Sequence, residues 1–302
     1  MHCDTRKLLV GEEQRALVYL RRRPLDNAIL LGLINDYGLQ HPFCRGTFYG
    51  HFRDGQLAGV ALLGYHVLLS GDLDAVAAFA QVARRTRTDV RLMLGPEAVA
   101  AAFAPVFMGR DVPPPHRSEV QLFMVLDEVA TVAAADTLRP ATQADIDKVA
   151  AIHALACVEQ TGIDPRATDA TGFRTRVGRR IELGRIWIAE DAQGICFKTD
   201  VACETESIAY VEGVVTRPDV RGMGVGVKHL SNLCRRLLQQ NEHVCLFVRA
   251  DEAWAGALYH KVGFRLHQQY RFIRFLRARN DNFSGPLPSL VARPTHEAVL
   301  VE

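Results

Sequence analysis

Two stretches of this chain run through the same order of elements, and that repetition constrains the fold more than any single motif. "TFYGHFRDGQLAGVALL" (47–63) reads as a β-hairpin turning at Asp54-Gly55. "YHVLLS", "DAVAAFAQVARR", "DVRLMLG" and "PEAVAAAFAPVF" follow as strand, helix, strand, helix. "RIWIAEDAQGICFKTD" is a second hairpin. After it, "SIAYVEGVVT", "VKHLSNLCRRLLQQ", "HVCLFVRA" and "DEAWAGALYHKV" give the same succession. The assignments rest on apolar period: alternation in the strands, and Leu230, Leu233, Cys234, Leu237 and Leu238 at helical spacing. A repeated order, with little letter-for-letter similarity, leads to the expectation of an internal duplication of the architecture, the alternative being two unrelated α/β segments.

The chain of 302 residues is long enough for two such units, and with 48% hydrophobic residues each can bury a core. Boundaries are expected at "DVPPPHRSEV" (111–120), whose three consecutive prolines suit neither helix nor central strand, and at the polar run 134–145. Within that run Thr142 and Asp145 are spaced as a helix-capping pair. Behind them Ile146, Val149, Ala150, His153 and Cys157 form one helical face, on which His153 reads as a core residue. A second helix, marked by Phe173, Val177 and Ile181, can end at Gly184. The expected units are 1–130, 131–276 and a Pro-rich tail, 277–302.

Composition excludes several classes. The formal net charge is +2, and the one basic run, Arg21-Arg22-Arg23, has no aromatic residues interleaved with it, so nucleic acid is not an expected partner. Seven cysteines without a C-x-x-C pair fit free thiols in a reducing compartment; neither a disulfide framework nor a metal site is expected. With no secretory signal and no long apolar run, the expected location is cytoplasmic and off the membrane.

The chemistry is concentrated in "VVTRPDVRGMGVGVKHL" (214–230). Gly222, Gly224 and Gly226 stand between a strand and a helix, although glycine costs a helix about 1 kcal/mol relative to alanine. A helix N-terminus presents unpartnered N–H groups and the positive end of its dipole, and glycine lets an anion approach them closely. The segment lacks the Lys-Ser/Thr of a P-loop, and G-x-G-x-G is not the dinucleotide pattern.

Here the sequence resembles the GNAT N-acetyltransferase superfamily. Arg221-Gly222-Met223-Gly224-Val225-Gly226 matches its acyl-CoA motif, and "AGALYHKVGF" (255–264) matches a second signature of the family. The resemblance covers about 137–276. It implies an α/β (α+β) fold of two GNAT-like domains, each a mixed, mostly antiparallel twisted sheet flanked by helices. It also implies acetyl-CoA as acyl donor, no metal, and a primary amine, on a small molecule or a protein, as acceptor. The amides from Gly222 through Val227, with Arg221, would bind the pyrophosphate, and Val214, Val215 and Thr216 would pair with the pantetheine arm. Tyr259 matches the tyrosine that protonates the departing thiolate. Glu212, an odd residue on so apolar a strand, is the expected general base, with partial burial favouring its neutral form. Glu252 departs from the family, many of whose members carry Asn there.

The first half lacks the motif. Gly71-Asp72-Leu73-Asp74 stands where the cradle would be, and carboxylates there suit helix caps better than a phosphate site. Residues 1–130 are therefore expected to form a degenerate GNAT-like domain, packed on the working one and shaping the acceptor groove. The sequence leaves open two alternatives to amine acetylation: an acyl-CoA-binding scaffold without turnover, and an aminoacyl-type transferase. It does not identify the acceptor or the oligomeric state; Asp164 and Asp169 read as solvated surface.

Overall fold

The computed structural model describes residues 2–109, 117–130, 137–161 and 164–275. The triple proline and the Pro-rich segment 277–302 lie outside the described residues. The first half comprises β1 (Cys3–Lys7), α1 (Glu13–Leu20), α2 (Ala28–Tyr37), β2 (Gly46–Arg53), β3 (Gln56–Gly64), β4 (His66–Gly71), α3 (Leu73–Arg85), β5 (Leu92–Pro96), α4 (Glu97–Met108) and β6 (Arg117–Leu126). The second comprises β7 (Arg139–Pro140), α5 (Ile146–Thr161), α6 (Pro165–Glu182), β8 (Ile186–Asp191), β9 (Gly194–Glu204), β10 (Ile208–Thr216), α7 (Val225–Leu237), β11 (His243–Arg249), α8 (Ala253–Val262) and β12 (Arg265–Arg274). Both expected hairpins and the strand–helix alternation after each are present. The sequence reading had not resolved β1, α1, α2 and β6, the last of which begins within the expected boundary 111–120.

Among the described residues one sheet of twelve strands runs through both halves, in the order β1-β2-β3-β4-β5-β12-β6-β11-β10-β9-β8-β7. The order shows a reciprocal exchange. The last strand of the second half, β12, lies between β5 and β6 of the first, and β6 lies between β11 and β12. The two exchanged strands pair antiparallel from Arg265↔Val125 to Arg274↔Arg117, so the seam between the halves is itself sheet. Parallel pairing occurs twice, at β4–β5 and β10–β11, in corresponding positions of the two halves.

Side chains of successive strand residues point to opposite faces, and both faces are covered. Val211 and Ala209 pack with Leu230, Leu233 and Cys234 of α7 and with α8. On the same side of the first half, Val67 and Leu69 pack with Phe79 of α3 and Phe103 of α4. The other face is shared. Leu68, Phe123, Tyr210 and Cys245 join one core with Leu20 of α1 and with Ile29 and Leu33 of α2. Helix α2 thus crosses the seam and lies on β9 and β10. A Cβ on its Gly32 would fall 2.2 Å from Cys203 Cβ, which is why a glycine stands there. Helices α5 and α6 cover the remainder of that face. The Thr142–Asp145 capping box forms as expected, with Arg139 holding the Asp145 carboxylate at 2.7 Å. Gly184, at φ +66°, ends α6.

Candidate active site

Strands β10 and β11 pair only at Ile208↔His243, Ala209↔Val244 and Tyr210↔Cys245. Beyond that point they separate, because β11 continues alongside β6 while β10 continues alongside β9. The β11-facing edge of residues 211–216, which includes Val214, Val215 and Thr216, is left without a strand partner among the described residues. A free edge of this kind can pair with an extended ligand as though with another strand.

The separation is accompanied by a bulge. Glu212 pairs with Asp200 and Val215 with Lys198, so that Gly213 and Val214 together oppose Thr199. Gly213 has φ +58°, and a Cβ there would stand 3.1 Å from Lys198 Nζ. Glycine satisfies both demands.

The open edge leads directly to the glycine segment. After a single 3-10 turn at Pro218–Val220 the chain turns through Gly222 (φ +78°) and Gly224 (φ +82°), and α7 starts at Val225. Arg221, Gly222, Met223 and Gly224 are exposed. The three glycines serve two purposes. Gly222 and Gly224 hold a left-handed backbone, which other L-residues adopt at a cost of about 1–2 kcal/mol, and the space where their Cβ atoms would lie is open. Gly226 sits within the first turn of α7, where a Cβ would come 2.8 Å from both Leu258 Cδ1 and Thr216 Oγ1. It allows α7, α8 and β10 to pack closely. The result is a helix N-terminus preceded by an exposed glycine turn, the kind of setting in which helix starts bind anions. Arg221 is engaged with protein: its guanidinium donates to the Thr216 carbonyl (2.9 Å) and to Glu159 of α5 (2.6 Å), tying the segment to the end of β10 and to α5.

Tyr259 and Glu212 lie on opposite faces of the sheet. Tyr259, on α8, belongs to the α7–α8 core, with its ring edge-on to Phe264 at 5.9 Å. Burial raises its pKa, and the Glu252 carboxylate adds to the rise, so its proton stays on Oη at neutral pH. Glu252 directly precedes α8 and is itself pushed up by burial, against the pull of Arg249.

Glu212 does not stand alone in an apolar wall. Arg180 of α6 donates to it at 2.6 Å and to Asp200 at 2.6 Å, and Lys198 Nζ lies 2.7 Å from the other Asp200 oxygen. Lys198 and Asp200 are fully buried. Burial alone would raise the Asp200 pKa; the charges of Lys198 and Arg180 reverse that and lower it. His153, from α5, is half-buried beside the same group, edge-on to Phe173 at 5.4 Å. Burial, reinforced by Lys198, lowers its pKa to about 3, so it is neutral. Sequence reasoning had found Glu212 but not Arg180, Lys198 or Asp200. The available signal was "FKTD" inside an apolar strand, where two opposite charges two residues apart share one face.

The first half repeats the separation without the cradle. Strands β4 and β5 pair at His66↔Leu92 and Val67↔Met93 and then diverge. The N-terminus of α3, however, is already filled: Asp72 accepts from the Ala75 amide at 3.0 Å and binds Arg53 at 2.5 Å.

Among the described residues no group of three or more His, Cys, Asp and Glu could hold a metal ion, and no helix is long and apolar enough to cross a membrane. Residues 199–273 match the family model described as FR47-like protein. No curated protein matches the chain. Among solved structures, it is similar to an acetyltransferase from the GNAT family of Colwellia psychrerythraea (14% identity, 91% of this chain and 100% of that one, TM-score 0.58). It is also similar to a Drosophila protein (12% identity, 90% and 98%, TM-score 0.63). A third is a tandem GNAT protein from the clavulanic acid biosynthesis pathway (14% identity, 90% and 98%, TM-score 0.55). Open strands, glycine turn and doubled topology agree with these likenesses: the chain has the fold of the GNAT superfamily in its tandem form.

Proposed function

We propose that this protein is an acetyl-CoA-dependent N-acetyltransferase acting on a primary amine by direct attack within a ternary complex. We assign catalysis to residues 131–276 and a supporting role to the degenerate half, 1–130. The observation that carries the reading is the continuity of the free edge of 211–216 with the exposed glycine turn that starts α7. An extended arm ending in a pyrophosphate has that shape and charge. The first half, whose corresponding helix start is occupied by Asp72, offers no equivalent.

Acetyl-CoA would supply a thioester, an acyl group already activated toward an amine, so no nucleophilic side chain is required. Cys234 and Cys245 are fully buried, and burial holds both thiols protonated, which suits inert core residues. The amides from Gly222 through Val227 hold the pyrophosphate, with Arg221 fixing the loop. Val214, Val215 and Thr216 align the pantetheine arm. Glu212, oriented by Arg180, accepts a proton from the acceptor ammonium on one face of the sheet. Tyr259 keeps a proton at Oη on the other face, available to a departing thiolate. Separating the two proton transfers across the sheet prevents the acid from neutralising the base.

Calorimetry tests the cradle. Wild type is expected to bind acetyl-CoA at micromolar concentration and Gly224→Glu to lose it, since a carboxylate would then project into the anion site. Tyr259→Phe is expected to retain binding and lower kcat. Absence of binding in the wild type refutes the reading.

A further inference from the structure

Among the described residues only one Trp, Tyr or Phe is exposed: Trp254, in the first turn of α8, at 67%. The other tryptophan is treated differently. Trp187 is half-buried and carries the Arg236 guanidinium over its ring at 5.4 Å. Trp254 has no ring or guanidinium upon it among the described residues, and its neighbours Ala253, Gly256 and Ala257 are too small to cover it. Resting on the acyl-transfer reading of the adjoining site, we infer that Trp254 is the platform on which the donor's adenine base stacks. It thereby selects a nucleotide-bearing thioester over an acyl-pantetheine that lacks the base.

The first support is position. Strands β10 and β11 are parallel neighbours, and the helices that follow them, α7 and α8, pack on the same face, so both helices start at the same end of the sheet. Gly226, the second residue of α7, faces α8: a Cβ there would lie 2.8 Å from Leu258 Cδ1. Trp254 precedes Leu258 by four residues, which puts it on nearly the same helix face and about 6 Å nearer the helix start. It therefore projects past the first turn of α7, alongside the Gly222–Gly224 turn. Met223, in that turn, is 72% exposed, so the two sides of the cradle carry the most exposed large apolar side chains of the described second half.

The second support is the order of groups in the donor. With the pantetheine arm along 211–216 and the pyrophosphate at the glycine turn, the adenosine is attached at the far side of the pyrophosphate. It leaves the turn away from the open strand edge, where the helix starts lie. The third is chemistry. A purine stacks on an aromatic face without needing hydrogen bonds, and such a contact is worth about tenfold or more in affinity. Asp251, whose charge would oppose a phosphorylated nucleoside, is held by Arg249 at 2.9 Å.

Calorimetry and tryptophan fluorescence on the full chain test the inference, with acetyl-CoA, adenosine 3′,5′-bisphosphate and S-acetylpantetheine 4′-phosphate as probes. Acetyl-CoA and the bisphosphate are expected to quench the emission of wild type, and Trp254→Ala to lose that quench while Trp187 still emits. The same variant should raise the Kd of both about tenfold. Affinity for S-acetylpantetheine 4′-phosphate, which has no base to stack, should be the same in the two proteins. Trp254→Phe, which keeps a ring, should restore most of the affinity for acetyl-CoA. An unchanged acetyl-CoA Kd in Trp254→Ala overturns the inference. So does an equal loss for acetyl-CoA and S-acetylpantetheine 4′-phosphate, which would mean a disturbed cradle and not a lost stack. A wild type that binds none of the three probes fails the acyl-transfer reading instead, and the stacking role with it.

Discussion

His153 should make this protein lose stability on mild acidification, above the ordinary carboxylate range. Burial on α5, with Lys198 close by, lowers its pKa to about 3, and its Nδ1 meets no protein hydrogen-bond partner among the described residues. In the unfolded chain the imidazole titrates near 6.5. Between about pH 6.5 and 3 the unfolded state therefore holds a proton that the folded state refuses, and stability falls as pH falls. Each pH unit in that window is worth about 1.4 kcal/mol, so lowering the pH from 7 to 5 should cost about 2 kcal/mol through this residue alone. Asp200, whose folded pKa is lowered by the same cluster, acts only below the ordinary carboxylate range, near pH 4.

The comparison protein is His153→Phe, which keeps the edge-on contact with Phe173 and removes the titration. His51 and His229, also lowered by burial, remain in both proteins and cancel in the difference. Urea unfolding at the two pH values should give a wild-type loss about 2 kcal/mol larger than the variant's. Equal losses would refute the claim that a neutral, half-buried imidazole sits beside the ion cluster.

Three further outcomes follow from the packing. Arg180→Met removes one cation from a buried and a half-buried carboxylate at 2.6 Å and should destabilise by about 3 kcal/mol; adding Glu212→Gln should recover part of the loss in a double-mutant cycle. Gly226→Ala places a methyl 2.8 Å from Leu258 and Thr216, and overpacking should exceed the helix-propensity gain, for a net cost of up to about 2 kcal/mol by urea melts. Asp72→Ala strips the cap of α3 and should cost about 1 kcal/mol, again by urea melts, with acetyl-CoA affinity unchanged because that helix is remote from the cradle.

Much of this fold was legible because its signals are local. Alternation at "FYGHFR" and "IAYVEGV", helical spacing at Leu230–Leu237, and turn residues at Asp54-Gly55 and Gly184 each fix an element from within a few residues. The glycine segment was legible for the same reason, though in part for a different cause: two glycines hold a left-handed turn and the third makes room for Leu258. Helices α1 and α2 went unread because their apolar faces answer to a distant surface. "AILLGLI" is apolar nearly all round, and only the contact with Cys203 of the other half explains a glycine at its centre. The partners of Glu212 were hidden similarly: Arg180, Lys198 and Asp200 come from separate elements, and each alone reads as a surface charge.

The strand exchange makes the second half depend structurally on the first. Removing residues 1–130 would take β6 from between β11 and β12, exposing the edge of the strand that carries Phe247 and leaving β12 unpaired on both sides. It would also take α2 off β9 and β10, uncovering Cys203 and Tyr210 behind the bulge that places Glu212. The opening between β10 and β11 exists because β6 holds β11 along its whole length while β9 draws β10 the other way. The first half is thus one of the two supports that hold β10 and β11 apart.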